Sequence, residues 1–330
     1  MRYEPLKNFI NINKTNDFIE YDLKNRDQSK TIRTMIPIVI RSKKYKYYPS
    51  KYLSSGSYGH VFIYETNVLL AGKPLKIAVK VIEDTPEDCE DTSNYTVCTS
   101  NILNQRCITP KRLYYDWGYP TILVMDPMDG DLYDFLVERD VKKAEKLKIC
   151  RDITKGLTCF NKKKGFYTDL KIDNCLYRRG NKDGQFEYVV GDVTLCEKGP
   201  GKKIVASYPA PQYFLENIKS RCTEKETVWQ LGLFILKVFL DDRASKWSRH
   251  RIKSTIVGKS RKKKEEYLES QISELTSKFD TSSELKNLKG LSTLKRCLIF
   301  DPEKRPTLKS VLRVLNNNMK KPKKSKSKSK

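Results

Sequence analysis

The stretch Tyr167-Thr168-Asp169-Leu170-Lys171-Ile172-Asp173-Asn174-Cys175-Leu176-Tyr177 sets a carboxylate, an ammonium and an amide within six positions, then runs into an apolar, strand-like segment. A little further on, Tyr188-Val189-Val190-Gly191-Asp192 ends a second strand-like run on another carboxylate. Carboxylates and an amide at strand ends are the hard oxygen ligands that Mg²⁺ prefers, and a Lys between them can meet a phosphate. Upstream, Leu53-Ser54-Ser55-Gly56-Ser57-Tyr58-Gly59-His60-Val61 is a turn-forming stretch between strand-like segments. Its glycines allow close backbone approach to a ligand, with N–H groups free to face a phosphate. Alone it is a weak signal, because Gly-containing hairpins are common. Lys80 lies inside the β-rich run Lys76-Ile77-Ala78-Val79-Lys80-Val81-Ile82. A central-strand Lys is costly to bury unpaired and wants an anion, whereas an edge Lys snorkels to solvent.

Taken in order, these segments resemble the eukaryotic protein kinase superfamily over residues 48–317. Ser55-Gly56-Ser57-Tyr58-Gly59-His60-Val61 resembles the glycine-rich loop, with Ser54 where the first Gly usually stands. Ile77-Ala78-Val79-Lys80 resembles the V-A-I-K strand, and Asp169-Leu170-Lys171 with Asn174 resembles the catalytic loop. Asp192-Val193-Thr194 stands at D-F-G, Ala210-Pro211-Gln212 at A-P-E, and Val228-Trp229-Gln230-Leu231-Gly232 in the buried helix usually written D-V-W-S-L-G. Asp301-Pro302-Glu303-Lys304-Arg305-Pro306-Thr307 resembles the motif before the final helix. The resemblance implies an α+β, two-lobed kinase fold with a small β-rich N-lobe and a larger helical C-lobe. It implies Mg²⁺-dependent transfer of the ATP γ-phosphate to a protein hydroxyl. Backbone around Gly56 and Gly59, with Val61, would cover the phosphates, and Lys80 would hold the α- and β-phosphates. Asn174 and Asp192 would hold Mg²⁺, Asp169 would accept the hydroxyl proton, and Lys171 would meet the γ-phosphate. Met125 falls at the gatekeeper, the Met128 backbone would bond adenine, and Asp131 would reach the ribose. Lys171, two residues after the catalytic Asp, is the Ser/Thr pattern. The compact, divergent, Lys- and Asn-rich chain also resembles kinases of large DNA viruses, which would act in the host cytoplasm or nucleus or travel in the virion.

The chain departs from that pattern at defined places. Tyr167 and Thr168 replace the His and Arg before the catalytic Asp, Gln212 replaces the Glu of A-P-E, and Thr227 replaces the Asp that opens the buried helix. Gln212 can still accept a hydrogen bond from Arg305, without charge assistance. Thr99 falls where helix C usually carries its Glu, and Glu87 and Glu90 are close to Lys80 in sequence. The expectation is therefore that Lys80 lies toward Asp192. Without the Arg before Asp169, activation by loop phosphorylation is not expected. Each departure falls on supporting structure, whereas every group that would touch ATP, Mg²⁺ or the hydroxyl is kept. That asymmetry favours an active enzyme; the alternative is a kinase-fold scaffold that binds nucleotide or a partner without catalysis.

The rest of the chain sets the domain plan. Residues 1–44 read as an N-terminal extension, 45–127 as the N-lobe, 128–317 as the C-lobe, and 318–330 as a disordered Lys/Ser tail. Leu147, Cys150, Ile153, Leu157 and Phe160 recur at helical steps, and Val228–Leu240 is apolar nearly all round, as a buried helix is. The last helix is expected after Pro306, with Thr307 near its start, fading by Asn316–Asn318. The net charge is +25 over 330 residues. Residues 243–264 hold ten Lys or Arg and no acid, and 320–330 hold seven Lys and no acid. These two segments point to an acidic protein or nucleic acid as partner, or to solvated charge read by a localisation receptor. Composition excludes a collagen-like fibre, a wholly disordered chain and a membrane bundle, and no membrane span is expected. Met1-Arg2-Tyr3-Glu4-Pro5 has no apolar core, so no secretory leader is expected. Nine Cys without a CxxC pair, and only two His, argue against zinc and for reduced thiols in cytoplasm or nucleus.

Overall fold

The computed structural model describes residues 18–24, 31–42, 44–56, 59–70, 72–82, 113–116, 121–162, 166–167, 169–180, 184–191, 195–196, 207–215, 223–240 and 247–319. The chain divides into two units, Met1–Met128 and Asp129–Lys330. The first is β-rich and the second mainly helical, an α+β architecture.

In the first unit, β1 (Phe18–Lys24) and β2 (Thr31–Pro37) form an antiparallel hairpin. A second, six-stranded antiparallel sheet holds β3 (Ile40–Arg41), β4 (Lys46–Gly56), β5 (Gly59–Leu70), β6 (Lys73–Ile82), β7 (Leu113–Asp116) and β8 (Thr121–Met125), in the order β3-β4-β5-β6-β8-β7. Strand side chains alternate between faces. In β6, Ile77, Val79 and Val81 join Phe62, Tyr64, Ile122 and Val124 in the core, and Lys80 falls on the opposite face. Ile36 and Ile40 belong to that same core, and the Tyr64 hydroxyl donates to the Pro37 carbonyl at 2.7 Å. Residues 31–42, read from sequence as part of an extension, thus contribute strands and core side chains to this unit.

The second unit opens with β9 (Gly130–Asp131), α1 (Leu132–Glu138) and α2 (Lys143–Lys162). Two small antiparallel pairings follow: β10 (Phe166–Tyr167) with β13 (Leu195–Cys196), and β11 (Cys175–Arg179) with both β9 and β12 (Phe186–Val190). The helices after them are α3 (Gln212–Leu215), α4 (Glu224–Leu240), α5 (Arg249–Ile256), α6 (Arg261–Thr281), α7 (Leu291–Lys295) and α8 (Leu308–Met319). Leu147, Cys150, Ile153 and Leu157 form the buried face of α2, as their spacing predicts. In α4 every residue from Glu226 to Phe239 is buried. Gly232 allows that depth, because a Cβ there would stand 2.8 Å from the Cys297 and Leu298 side chains. No described helix is long and apolar enough to cross a membrane.

Two boundaries differ from the sequence reading. The described part of the basic segment 243–264 is largely helical: it holds α5, with Ile252 and Ile256 buried, and the start of α6. The last helix runs on to Met319, because the Asn318 side chain bonds both the N–H and the carbonyl of Lys289 at 2.9 Å. The tail from 320 onward lies outside the described residues.

Candidate active site

The catalytic-loop stretch is anchored by its unusual residues. Tyr167, in β10, is buried and its hydroxyl donates to the Gly191 carbonyl at 3.0 Å. The Thr227 hydroxyl, from α4, donates to the Tyr167 carbonyl at 2.8 Å. One turn along α4, Gln230 Oε1 accepts from the Leu170 N–H at 2.9 Å. The carboxylate expected at position 227 is absent, and the acceptor it would have provided comes instead from a neutral amide.

Between these anchors the predicted groups converge. Asp169 Oδ1 accepts from the Ser207 N–H at 2.9 Å, and Oδ2 accepts from Asn174 Nδ2 at 3.2 Å. Lys171 Nζ stands 3.6 Å from Asp169 Oδ2, with both side chains partly exposed. Asn174 closes a single 3₁₀ turn, Ile172–Asn174, and its Nδ2 also donates to the Asp169 carbonyl at 2.9 Å. Its amide is thus turned so that the nitrogen faces Asp169 and the oxygen is left to face a hard cation. The Asn174 carbonyl accepts from the Gly191 N–H at 2.6 Å. Glycine is required there, since a Cβ on residue 191 would meet the Leu176 side chain at 2.8 Å. This bond fixes the backbone one residue before Asp192; Asp192 itself lies outside the described residues. The Asn174 side-chain oxygen is a donor that fits a hard cation such as Mg²⁺.

The first unit places its own predicted residues on one strand trio. Lys80 pairs across β6 with Val61 of β5 and Leu123 of β8, so Lys80 and Val61 share a face of the sheet. Gly56 and Gly59 face each other where β4 turns into β5, and Gly59 takes a φ of 140°, in the region that favours glycine. Met128 is half-buried at the end of this unit. Asp131, in the second unit, is the N-cap of α1: its Oδ1 accepts from the Asp134 N–H at 2.9 Å. Partial burial raises its pKa, and that hydrogen bond works against the rise. Thr99, Glu87 and Glu90 lie outside the described residues, and with them the expectation about helix C and Lys80.

Ser207, Trp247 and Glu226 were not singled out from sequence, whereas Gln212 and Arg305 were. Segment 207–212 is pinned along its length by Ser207 N–H on Asp169, by Trp247 Nε1 on the Pro209 carbonyl at 2.8 Å, and by the Ala210 N–H on Glu226 Oε1 at 2.7 Å. Gln212 Oε1 accepts from Arg305 at 2.9 Å, as its amide allows, and Gln212 Nε2 donates to the Phe300 carbonyl. Glu226 is buried, and its carboxyl is pushed up to about 7 by burial, against the pull of the Ala210 amide and the Arg305 charge. Only its place beside Thr227, at the head of an otherwise apolar helix, marked it in the sequence. Cys150, Cys175 and Cys297 are free and buried, and burial raises each thiol. Cys159 is disulfide-bonded, which corrects the reading of all nine Cys as thiols.

Comparison with known proteins agrees with this geometry. The family model for protein tyrosine and serine/threonine kinases matches residues 49–315. Tyrosine-protein kinase TXK of Mus musculus is 25% identical over 208 residues, 58% of this chain and 36% of that protein. The chain thus spans little more than a third of that relative's length. With the kinase family model matched across most of its residues, the chain belongs to the protein tyrosine and serine/threonine kinase family.

Proposed function

We propose that the protein is an ATP- and Mg²⁺-dependent kinase that phosphorylates Ser and Thr hydroxyls of proteins. The observation that carries this reading is the cluster of Asp169, Lys171 and Asn174. Asp169 is the carboxylate that orients the attacking hydroxyl and accepts its proton, with Ser207 N–H and Asn174 holding its two oxygens in place. Lys171 brings an ammonium close to that carboxylate, where charge on the transferred phosphoryl group needs it. Its position two residues after Asp169 supports Ser/Thr preference, while the mouse relative is named as a tyrosine kinase. Lys80 would meet the α- and β-phosphates, the glycine turn at Gly56 and Gly59 with Val61 would cover them, and Met128 and Asp131 would meet adenine and ribose. Bound Mg²⁺ supplies neutralisation of phosphate charge, and Asn174 with Asp192 would hold it. The exposed Lys and Arg side chains of α5 and the start of α6, with the 320–330 tail, would recruit an acidic protein or nucleic acid in cytoplasm or nucleus.

The test is transfer of labelled γ-phosphate from Mg²⁺-ATP to a Ser/Thr-containing test protein. Lys80→Ala and Asp192→Ala are each expected to lower the rate on the order of 10³-fold or more while the far-ultraviolet circular dichroism stays unchanged. Activity that survives both substitutions sinks the assignment.

A further inference from the structure

The first turn of an α-helix leaves backbone N–H groups with no partner inside the helix. In α5 the Ser248 side chain caps that turn by accepting from the Arg251 N–H. The Arg249 N–H turns outward instead and donates to the Ser207 carbonyl at 3.0 Å. Ser207 is therefore gripped on both sides, its carbonyl by Arg249 and its N–H by Asp169 Oδ1 at 2.9 Å. Two residues before Arg249, Trp247 Nε1 donates to the Pro209 carbonyl at 2.8 Å. The Trp247 ring is buried, with its centroid 4.7 Å from that of Trp229 and 6.0 Å from that of Phe214. Residues 247–249 thus hold two alternate carbonyls of the segment that reaches Asp169. In sequence Trp247 stands among Lys246, Ser248 and Arg249, where docking of an acidic partner gives no reason for a buried indole.

We propose that the stretch 247–249 is a positioning element for the Asp169 site, with Trp247 Nε1 and the Arg249 N–H holding segment 207–209 so that the Ser207 N–H faces the carboxylate. Asp169 Oδ2 is met from within its own loop, by Asn174 Nδ2 at 3.2 Å and by Lys171 Nζ at 3.6 Å. Oδ1 is held from outside that loop, by Ser207. Only the φ and ψ of Ser207 separate its N–H from its carbonyl, so a swing of the carbonyl turns the N–H away from Asp169. Misplacement of about 1 Å in such a frame costs on the order of 10²-fold in rate. The basic segment therefore contributes to the frame of the site before it presents any charge to a partner.

This inference rests on the phosphotransfer reading of Asp169, so one arm of its test does not need activity. Proline is well tolerated at the first helical position, where its missing N–H is one that the helix does not use. Arg249 holds that position in α5, and Ser248, at φ −134° and ψ 151°, already has the extended backbone that a following proline requires. Arg249→Pro thus removes the donor to Ser207 and spares the helix. It is compared with Arg249→Ala, which loses the same charge and keeps the N–H. The kcat of Arg249→Pro is expected to lie about tenfold or more below that of Arg249→Ala, at equal KM for ATP. Native-state amide exchange at Ser207 is expected to be about two- to tenfold faster in the proline variant. Trp247→Phe keeps a ring beside Trp229 and removes the Nε1 donor; against the parent it should move kcat and Ser207 exchange in the same directions. If Arg249→Pro fails to fold, Trp247→Phe decides. Equal kcat and equal Ser207 exchange in the two Arg249 variants overturn the proposal, as do parent-like values of both in Trp247→Phe. If the parent itself transfers no phosphate, the functional reading fails, and the exchange arm alone decides whether 247–249 positions Ser207.

Discussion

Glu226 is expensive to the fold and useful to the site, and the two show up at different pH. Its carboxyl has an ordinary value near 4.5 and is raised to about 7 in the folded chain, chiefly by burial. The folded state therefore prefers the protonated form. The stability this group contributes is complete below about pH 4.5 and is lost as pH rises through about 7. Glu226→Gln cannot titrate, so its unfolding free energy, followed by urea denaturation, should fall less than the parent's across that window. Identical pH profiles for the two proteins would contradict the assignment. The residues that would carry chemistry were legible because their types are restricted: only a carboxylate, an ammonium and an amide do what Asp169, Lys171 and Asn174 do. The supporting contacts were not. Thr227 and Gln230 hold the loop through one hydroxyl and one amide, contacts that many residue types can make and that have no fixed spacing.

Among the elements, periodicity told most where one face is buried. The apolar run of α4 and the stepped face of α2 are burial patterns that survive translation into structure, because helix packing leaves few substitutes for them. The depth of α4 also gives a sharp test. Gly232→Ala would gain helix propensity of about 1 kcal/mol, yet its methyl would stand 2.8 Å from Cys297 and Leu298 in a close-packed interior. The expected net outcome is a loss of about 1–3 kcal/mol and a lower Tm by circular dichroism; an unchanged or higher Tm contradicts the packing described here. Charge hid the next two helices. Ile252 and Ile256 in α5, and Leu268, Ile272, Leu275 and Phe279 in α6, are buried at steps of three or four within each helix, but Lys, Glu, Gln, Ser and Thr fill the turns between them. Residues 31–42 were misjudged for a related reason. Ile36 and Ile40 are core residues, but the apolar patch that holds them, residues 35–40, is short and is preceded by polar, Asn- and Lys-rich stretches.

Over the whole molecule, the excess of positive charge is concentrated in two short segments, and the described part of one is presented on helices with most of its Lys and Arg side chains exposed. Polyglutamate should bind the full chain and weaken steeply as salt rises, since such contacts are screened within about 10 Å at 0.1 M ionic strength. Replacing Arg261, Lys262, Lys263 and Lys264 by Gln should flatten that salt dependence; binding that ignores both salt and these substitutions removes the docking role. The kinase fold was readable from seven ordered motifs, whereas the phosphate acceptor is named by no motif.

The phosphate acceptor is also where the functional reading is most exposed. The measurement is phosphoamino-acid analysis of a protein substrate incubated with the enzyme and labelled Mg²⁺-ATP, beside the Asp169→Asn variant. Labelled phosphoserine or phosphothreonine is expected with the parent, falling on the order of 10³-fold or more with Asp169→Asn, which keeps the side chain's shape but cannot accept the hydroxyl proton. Label on tyrosine alone, or no transfer above the Asp169→Asn background, would contradict the reading of this chain as a Ser/Thr kinase.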